Sequence, residues 1–242
     1  MSINEKYNSG LKYLKKNETG YGILIESDSG FIDPHDLRNK PFISEIQKLG
    51  ENAASVGKVM VEPLVLFVIL QKYDVVNKNG RIYPKHILMR EANNYQKLIE
   101  ARSALGESDH PDSSIISNTR ISHEIKKIWW EGQTLVGEIE IIMSPGFINL
   151  GIISCEGDRI ANYLRKGIRV GVSSRGVGSL DERNGKLMVQ EDFELICWDI
   201  VTSPSTPGSY MFSNQQEATP FMESEVKQKS LLIDKLNNFL IN

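Results

Sequence analysis

Apolar and polar residues are distributed in three regimes along the chain. Residues 1–55 are mostly polar, broken by NSG, ETG, SDSG and DPHD, and only GILIE at positions 22–26 has the pattern of a short strand. Such a segment has too little apolar surface for a core, so it predicts a peripheral arm or propeptide. At Lys58 the character changes: KVMVEPLVLFVILQKY is apolar and β-branched and predicts strands, and VNKNGRIYP supplies a turn. The predicted core domain covers residues 56–212. After Pro207 the chain is polar again, NQQEATPFMESEVKQK, so residues 213–242 predict a separable tail or second propeptide ending in the amphipathic LLIDKLNNFL.

Within the core, Ile87, Leu88, Ala92, Tyr95, Leu98 and Ile99 recur at helical spacing and predict a surface helix over 87–104 that leads into LGESDHP. Residues 122–130 and 134–142 predict two strands joined by a hairpin in which Gly132 takes positive φ. SPGFINLG predicts a loop. Residues 157–166 predict a helix with Ile160 and Leu164 on one face, closed by RKG. IRVGVSS is the next strand, and NGKLMVQEDFELICWDIV supplies at least one more. Mostly strands with a few helices predicts a mainly β, α+β fold: an antiparallel β-barrel, closed or nearly so, with helices around it.

Composition narrows the function classes. With 242 residues and 40% apolar content the chain can bury one substantial core. A net charge of −3, from 28 basic and 31 acidic residues, provides no field that draws nucleic acid or an anionic membrane. The strongest apolar run, PLVLFVIL, is far too short to span a bilayer, and the first residues carry no apolar signal core, so a soluble, unsecreted protein is expected. Cys155 and Cys197 lack the spacing of a zinc or redox pair and are expected as reduced thiols. No cofactor is expected: the glycines of GVSSRGVG are not followed by the lysine of a phosphate loop, and Glu107, Asp109 and His110 form no metal-binding motif. Trp129 and Trp130, with no basic stripe around them, are expected in packing.

The chemistry that the pattern favours is nucleophilic. Ser173 and Ser174 end an apolar run, and strand alternation points them in opposite directions, so the spacing leaves open which one attacks. Gly171 removes a side chain where a substrate backbone could approach, and Arg175, Gly176 and Gly178 predict a loop whose amides, those of Arg175 and Gly176 first, could receive an oxyanion. His110, before Pro111, is the candidate base, with His123 its competitor. Asp199 interrupts the apolar ICWDIV, where a carboxylate is costly unless hydrogen-bonded, and so is favoured over Asp192 as the acid that orients the base.

Several blocks in order, VNKNGRIYPKHIL, ALGESDHP, the WW-G segment at 129–132, GVSSRGVGSL and DIVTSPSTPG, resemble the prohead core proteases of T-even-type tailed bacteriophages over residues 74–209. The resemblance implies the fold of herpesvirus assembly proteases. It also implies a serine-type endopeptidase with Ser173 as nucleophile, His110 as base and Asp199 as third member. Such enzymes are zymogens assembled inside the prohead in the host cytoplasm, and they cleave scaffolding and core proteins, the major capsid protein and themselves after glutamate in (Leu/Ile)-x-Glu. That places candidate autocleavage at Glu26 and Glu45, and at Glu223 where FME departs from the motif by its phenylalanine, with Glu100 protected by its helix. Lys166, Arg169 and Arg175 are then candidates for receiving the substrate glutamate. A homo-oligomer, with a hexameric ring as one form, is the implied assembly. A catalytically inactive procapsid component with the same fold is the alternative.

Overall fold

The computed structural model describes residues 11–12, 22–25, 41–111, 113–183 and 185–212. Strand β3 (Leu64–Lys72) is the apolar run predicted above, and helix α2 (Lys85–Glu100) follows the short β4 (Arg81–Ile82). The helix buries Ile87, Leu88, Ala92, Tyr95 and Ile99 of the stripe its periodicity announced, while Leu98 is exposed. Beyond it come β5 (Leu105–Glu107), β6 (Ile121–Glu131) and β7 (Thr134–Ile141), the last two forming the expected hairpin with Gly132 at φ 58°. Together with β12 (Met211–Phe212) these strands build a five-stranded antiparallel sheet in the order β12, β3, β7, β6, β5.

The segment SPGFINLG contains a helix rather than only a loop. Ser144 caps α3 (Pro145–Leu150), accepting from the Phe147 amide at 3.1 Å, Pro145 opens it, and Gly151 ends it at φ 73°. Serine, proline and glycine at those positions are start and stop signals, but one and a half turns are too short for periodicity to register. Helix α4 (Glu156–Arg165) is held beside it by Asp158, whose buried carboxylate accepts from the backbone amides of Ser144, Ser154 and Cys155.

Strand β8 (Gly171–Gly178) pairs with β11 (Glu194–Val201), while β9 (Leu180–Arg183) and β10 (Lys186–Val189) form a small sheet with β4. On its other side β8 carries β2 (Gly22–Ile25), which in turn pairs with β1 (Leu11–Lys12). The expected arm therefore contributes two strands to the sheet that holds Ser173. It also contributes helix α1 (Pro41–Ser55), where Ala53 is buried and Leu49 packs against the main core.

The barrel expectation needs correction. The described strands form three sheets, and the four- and five-stranded ones meet through two isolated bridges, Ser108 with Ile200 and Gly171 with Tyr210. Neither seam becomes a ladder: β5 is three residues long with a register shift at its end, and the stretch before β12 contains Pro204 and Pro207, which have no amide to donate. The fold is mixed α+β with mostly strands. One large cluster around Leu66, Ile139, Tyr95 and Trp198 fills the space between the sheets and α2, the Tyr95 and Trp198 rings meeting edge to face at 4.6 Å.

Candidate active site

The β8–β11 register puts Ser173 opposite Asp199, Ser174 opposite Trp198 and Arg175 opposite Cys197, with a register shift between Leu195 and Cys197. Residues directly across an antiparallel pair share a face, and successive residues alternate. Ser173, Arg175, Cys197 and Asp199 therefore lie on one face, while Val172 and Ser174 lie on the side of Trp198 and the core. Alternation leaves Ser173 as the serine beside the carboxylate.

His110 arrives from the other edge of β11. The chain leaving β5 bridges Ile200 at Ser108, and the Asp109 amide donates to the Ile200 carbonyl at 2.8 Å. Asp109 then adopts φ 70°, a left-handed conformation that aspartate tolerates better than most residues, and its own carboxylate accepts from the His110 amide at 2.9 Å. This turn brings His110 Nδ1 to 2.8 Å from Asp199 Oδ2. The other ring nitrogen, Nε2, is buried and makes no hydrogen bond.

Asp199 is held from several sides. Its Oδ1 accepts from the Glu107 amide at 3.0 Å, from Arg175 Nη2 at 3.2 Å and from the Cys197 thiol at 3.2 Å. Arg175 Nε lies 2.8 Å from Oδ2, close enough for ion pairing but not aligned to donate. Burial raises the Asp199 pKa, but His110, Arg175 and the Glu107 amide outweigh it and hold the carboxyl below the ordinary value. Arg175 also donates to Glu107 Oε2 at 2.8 Å and to the Ser113 carbonyl at 2.7 Å. Desolvation opposes its charge, yet the surrounding Cys197, Asp199 and Glu107 raise its pKa above the usual arginine value. Burial, reinforced by Asp199, pushes the Cys197 thiol well up, so it is a neutral donor. Glu107 and Cys197 are the members that sequence reasoning missed. The signal for Glu107 was its place two residues after an apolar stretch in LGESDHP, but only the register could pair it with Arg175.

Other expected positions fall elsewhere. His123 is fully buried, with Nδ1 2.9 Å from Ser122 Oγ and Nε2 3.0 Å from the Trp198 carbonyl, and burial lowers its pKa to about 4. Asp192 accepts from the Ser179 amide at 3.0 Å, at the far end of β8. Gly171 is not an opening for substrate: a Cβ there would stand 2.4 Å from the Ser209 carbonyl and 2.7 Å from Pro204.

Arg175 and Gly176 belong to a strand paired on both edges, not to a loop. Consecutive strand residues aim their amides at opposite edges, so these two cannot converge on one oxyanion while β8 persists. Nor is the Arg175 guanidinium open to a substrate glutamate, being fully buried against Glu107 and Asp199. Lys166 is exposed at the end of α4, whereas the Arg169 guanidinium stacks 5.4 Å from the centre of the Tyr210 ring, beside the bridge to Gly171. Glu45 falls within α1, and Glu26 and Glu223 lie outside the described residues. Glu100 is the last residue of α2. Among the described residues no group of three or more histidine, cysteine or acidic side chains is arranged so that it could hold a metal ion, and no helix is long and apolar enough to cross a membrane.

Comparison with known proteins points to one family. The family described as prohead core protein serine protease matches residues 12–220. The prohead core protein protease of Enterobacteria phage T4 is 34% identical over 146 residues, covering 59% of this chain and 65% of that protein, so the match spans slightly less than two thirds of the relative. The solved structure of the bacteriophage T4 capsid assembly protease, gp21, superposes with a TM-score of 0.53 at 30% identity, covering 59% of this chain and 84% of that one.

Proposed function

The chain belongs to the prohead core protein serine protease family, and on that premise we propose that it is a serine endopeptidase using Ser173, His110 and Asp199. The observation that carries the assignment is the hydrogen bond from His110 Nδ1 to a buried Asp199 that stands directly across the ladder from Ser173. An aspartate accepting from Nδ1–H fixes the tautomer in which Nε2 carries the lone pair. Nε2 then takes the Ser173 proton as Oγ attacks the scissile carbonyl, and returns it to the departing amine. Water resolves the acyl-enzyme by the same route. Arg175 and Glu107 act as positioning residues that keep Asp199 ionised and fixed. At most one of the Arg175 and Gly176 amides serves the oxyanion.

Substrate cleavage after glutamate in (Leu/Ile)-x-Glu, within the prohead, is part of the same proposal. Its substrates are scaffolding and core proteins, the major capsid protein and the chain itself at Glu26, Glu45 or Glu223. Arg169, near the start of β8, is better placed than Lys166 to receive the glutamate carboxylate. A fold related to the herpesvirus assembly proteases, with its sheets joined by two bridges rather than closed into a barrel, belongs to the same reading, and a ring-shaped homo-oligomer completes it.

Ser173 is only 1% exposed and His110 Nε2 is not engaged, which favours a latent form, and equally the second reading of an inactive procapsid component. Incubation of the full chain, and of Ser173→Ala, with a phage scaffolding protein tests the assignment by intact mass. Fragments ending in glutamate from the wild type alone are expected. Fragments from both exclude Ser173 as nucleophile, and none from either fits the inactive component or a latent chain whose activation step is missing.

A further inference from the structure

Strand β8 has two edges, and they are covered differently. The β11 edge is paired from Gly171 to Val177. On the opposite edge, Gly171 bridges Tyr210 and the Val172 amide donates to the Ser209 carbonyl at 2.8 Å, so the chain entering β12 covers the start of the strand. From Arg175 to Gly178 the same edge is covered by β2, in the register Ile25 with Arg175, Leu24 with Gly176, Ile23 with Val177 and Gly22 with Gly178. The two coverings stop on either side of Ser173 and Ser174.

We infer that the β8 edge from Arg175 to Gly178 is the seat of the extended substrate, and that β2 holds this seat as an intramolecular competitor. The inference rests on the protease reading for its purpose, but the seat itself is a matter of strand pairing. A protease must hold its substrate extended, and adding that segment to a sheet edge supplies backbone hydrogen bonds while alternate side chains are read. Direction and register both fit. β2 runs antiparallel to β8, so a chain lying in its path advances from Gly178 toward Ser173. In that register the residue opposite Arg175 is followed by one opposite Ser174 and then by one opposite Ser173. Counted from Ile25, the peptide bond delivered to Ser173 is the one after position 26, where the sequence reads Leu-Ile-Glu. Glu26 itself lies outside the described residues, and the count uses only the register of Gly22–Ile25.

A strand tethered in the same chain competes at a high effective concentration, on the order of millimolar for short flexible connections. Free substrate therefore binds weakly until β2 leaves. Among the described residues β2 is four residues long and its outer neighbour β1 two, so few ladder hydrogen bonds hold it in place.

The test measures binding, so that it does not depend on hydrolysis. Full-length Ser173→Ala protein is titrated into a fluorescent peptide with the sequence of residues 20–27, GYGILIES. Ile23 and Val177, directly opposite each other, are replaced by cysteine, because facing antiparallel residues suit a disulfide. In a second variant Ile23→Pro and Leu24→Pro remove amides from β2. The expected order of affinity is the proline variant, at least threefold tighter than the reduced cysteine pair, then the oxidised pair, at least tenfold weaker than the reduced one. Equal binding to oxidised and reduced forms, or binding to neither, overturns the inference. Should the proline variant fail to fold, the cysteine pair alone decides. If binding follows the lock while the same pair with Ser173 intact cleaves nothing, the protease reading fails and the seat stands.

Discussion

Arg175 brings one positive charge to a strand face where Asp199 and Glu107 are both fully buried. Removing the charge leaves two carboxylates near each other with no cation, and breaking such a buried pair costs about 3–5 kcal/mol. Arg175→Met is therefore expected to lower the unfolding midpoint in urea by that equivalent, whereas Glu107→Gln, which leaves Asp199 paired, costs less and lowers kcat more than it raises KM. Comparing urea midpoints and peptide kinetics of the two variants checks both statements. His123 gives a pH signature. Its pKa falls from 6.5 in the unfolded chain to about 4 in the fold. Between those values the unfolded state binds a proton that the folded state refuses, so stability is full above about pH 6.5 and declines by about 3 kcal/mol as pH falls to about 4. His123→Gln is expected to be less stable at pH 7 but to show a flatter dependence across that window, measured by denaturation at pH 7 and 5. The candidacy of His110 and Asp199 was legible because a histidine at a constrained turn and an acid in an apolar run are locally odd. The partnership of Arg175 with Glu107 was not, since it depends on which strands meet.

At the level of elements, periodicity announced α2, α4 and the β6–β7 hairpin because each is long enough to repeat. Helices α1 and α3 escaped for opposite reasons, whereas β2 was legible as the short strand GILIE and only its pairing with β8 was not. α3 is too short to show a period, and α1 lies in polar surroundings where docking, rather than composition, makes it part of the fold. Docking is tightest at the start of α4. A Cβ on Gly157 would stand 1.7 Å from the Ile142 carbonyl and 2.9 Å from that of Ser122, both backbone atoms of the β6–β7 region. Gly157→Ala must push the helix off the sheet, and a loss of about 3 kcal/mol or more is expected. Far-ultraviolet circular dichroism during urea unfolding reads that loss directly. The glycines of β8 obey the same logic: a Cβ on Gly176 would meet Phe193 at 2.5 Å. Their sequence pattern suggested a loop because glycine is read as a breaker, whereas here it lets a strand lie against an aromatic ring.

Over the whole molecule, continuous ladders and single bridges divide the strands into regions of unequal resistance to opening. The β6–β7 and β3–β7 ladders are long, but the joins at Ser108 with Ile200 and Gly171 with Tyr210 are one bridge each. Native-state hydrogen exchange should find the amides of Asp109 and Val172, which donate across the joins, exchanging at least tenfold faster than ladder amides such as those of Val136 or Ile139. Comparable protection throughout would mean that the sheets open as one unit. Such joins were invisible in the sequence, because a bridge between distant residues leaves no local pattern.

The pairing of Gly22 with Gly178 also sets an order of manufacture. A ribosome makes β2 long before it makes β8, and the proposed site needs His110, then Ser173, then Asp199, the last of them near the far end of the described chain. Chains acquire structure in the order they emerge. If β2 covers the working edge, each newly made molecule already contains the covering segment when the edge it covers emerges. On that reading a finished site is never made without its cover already in the chain.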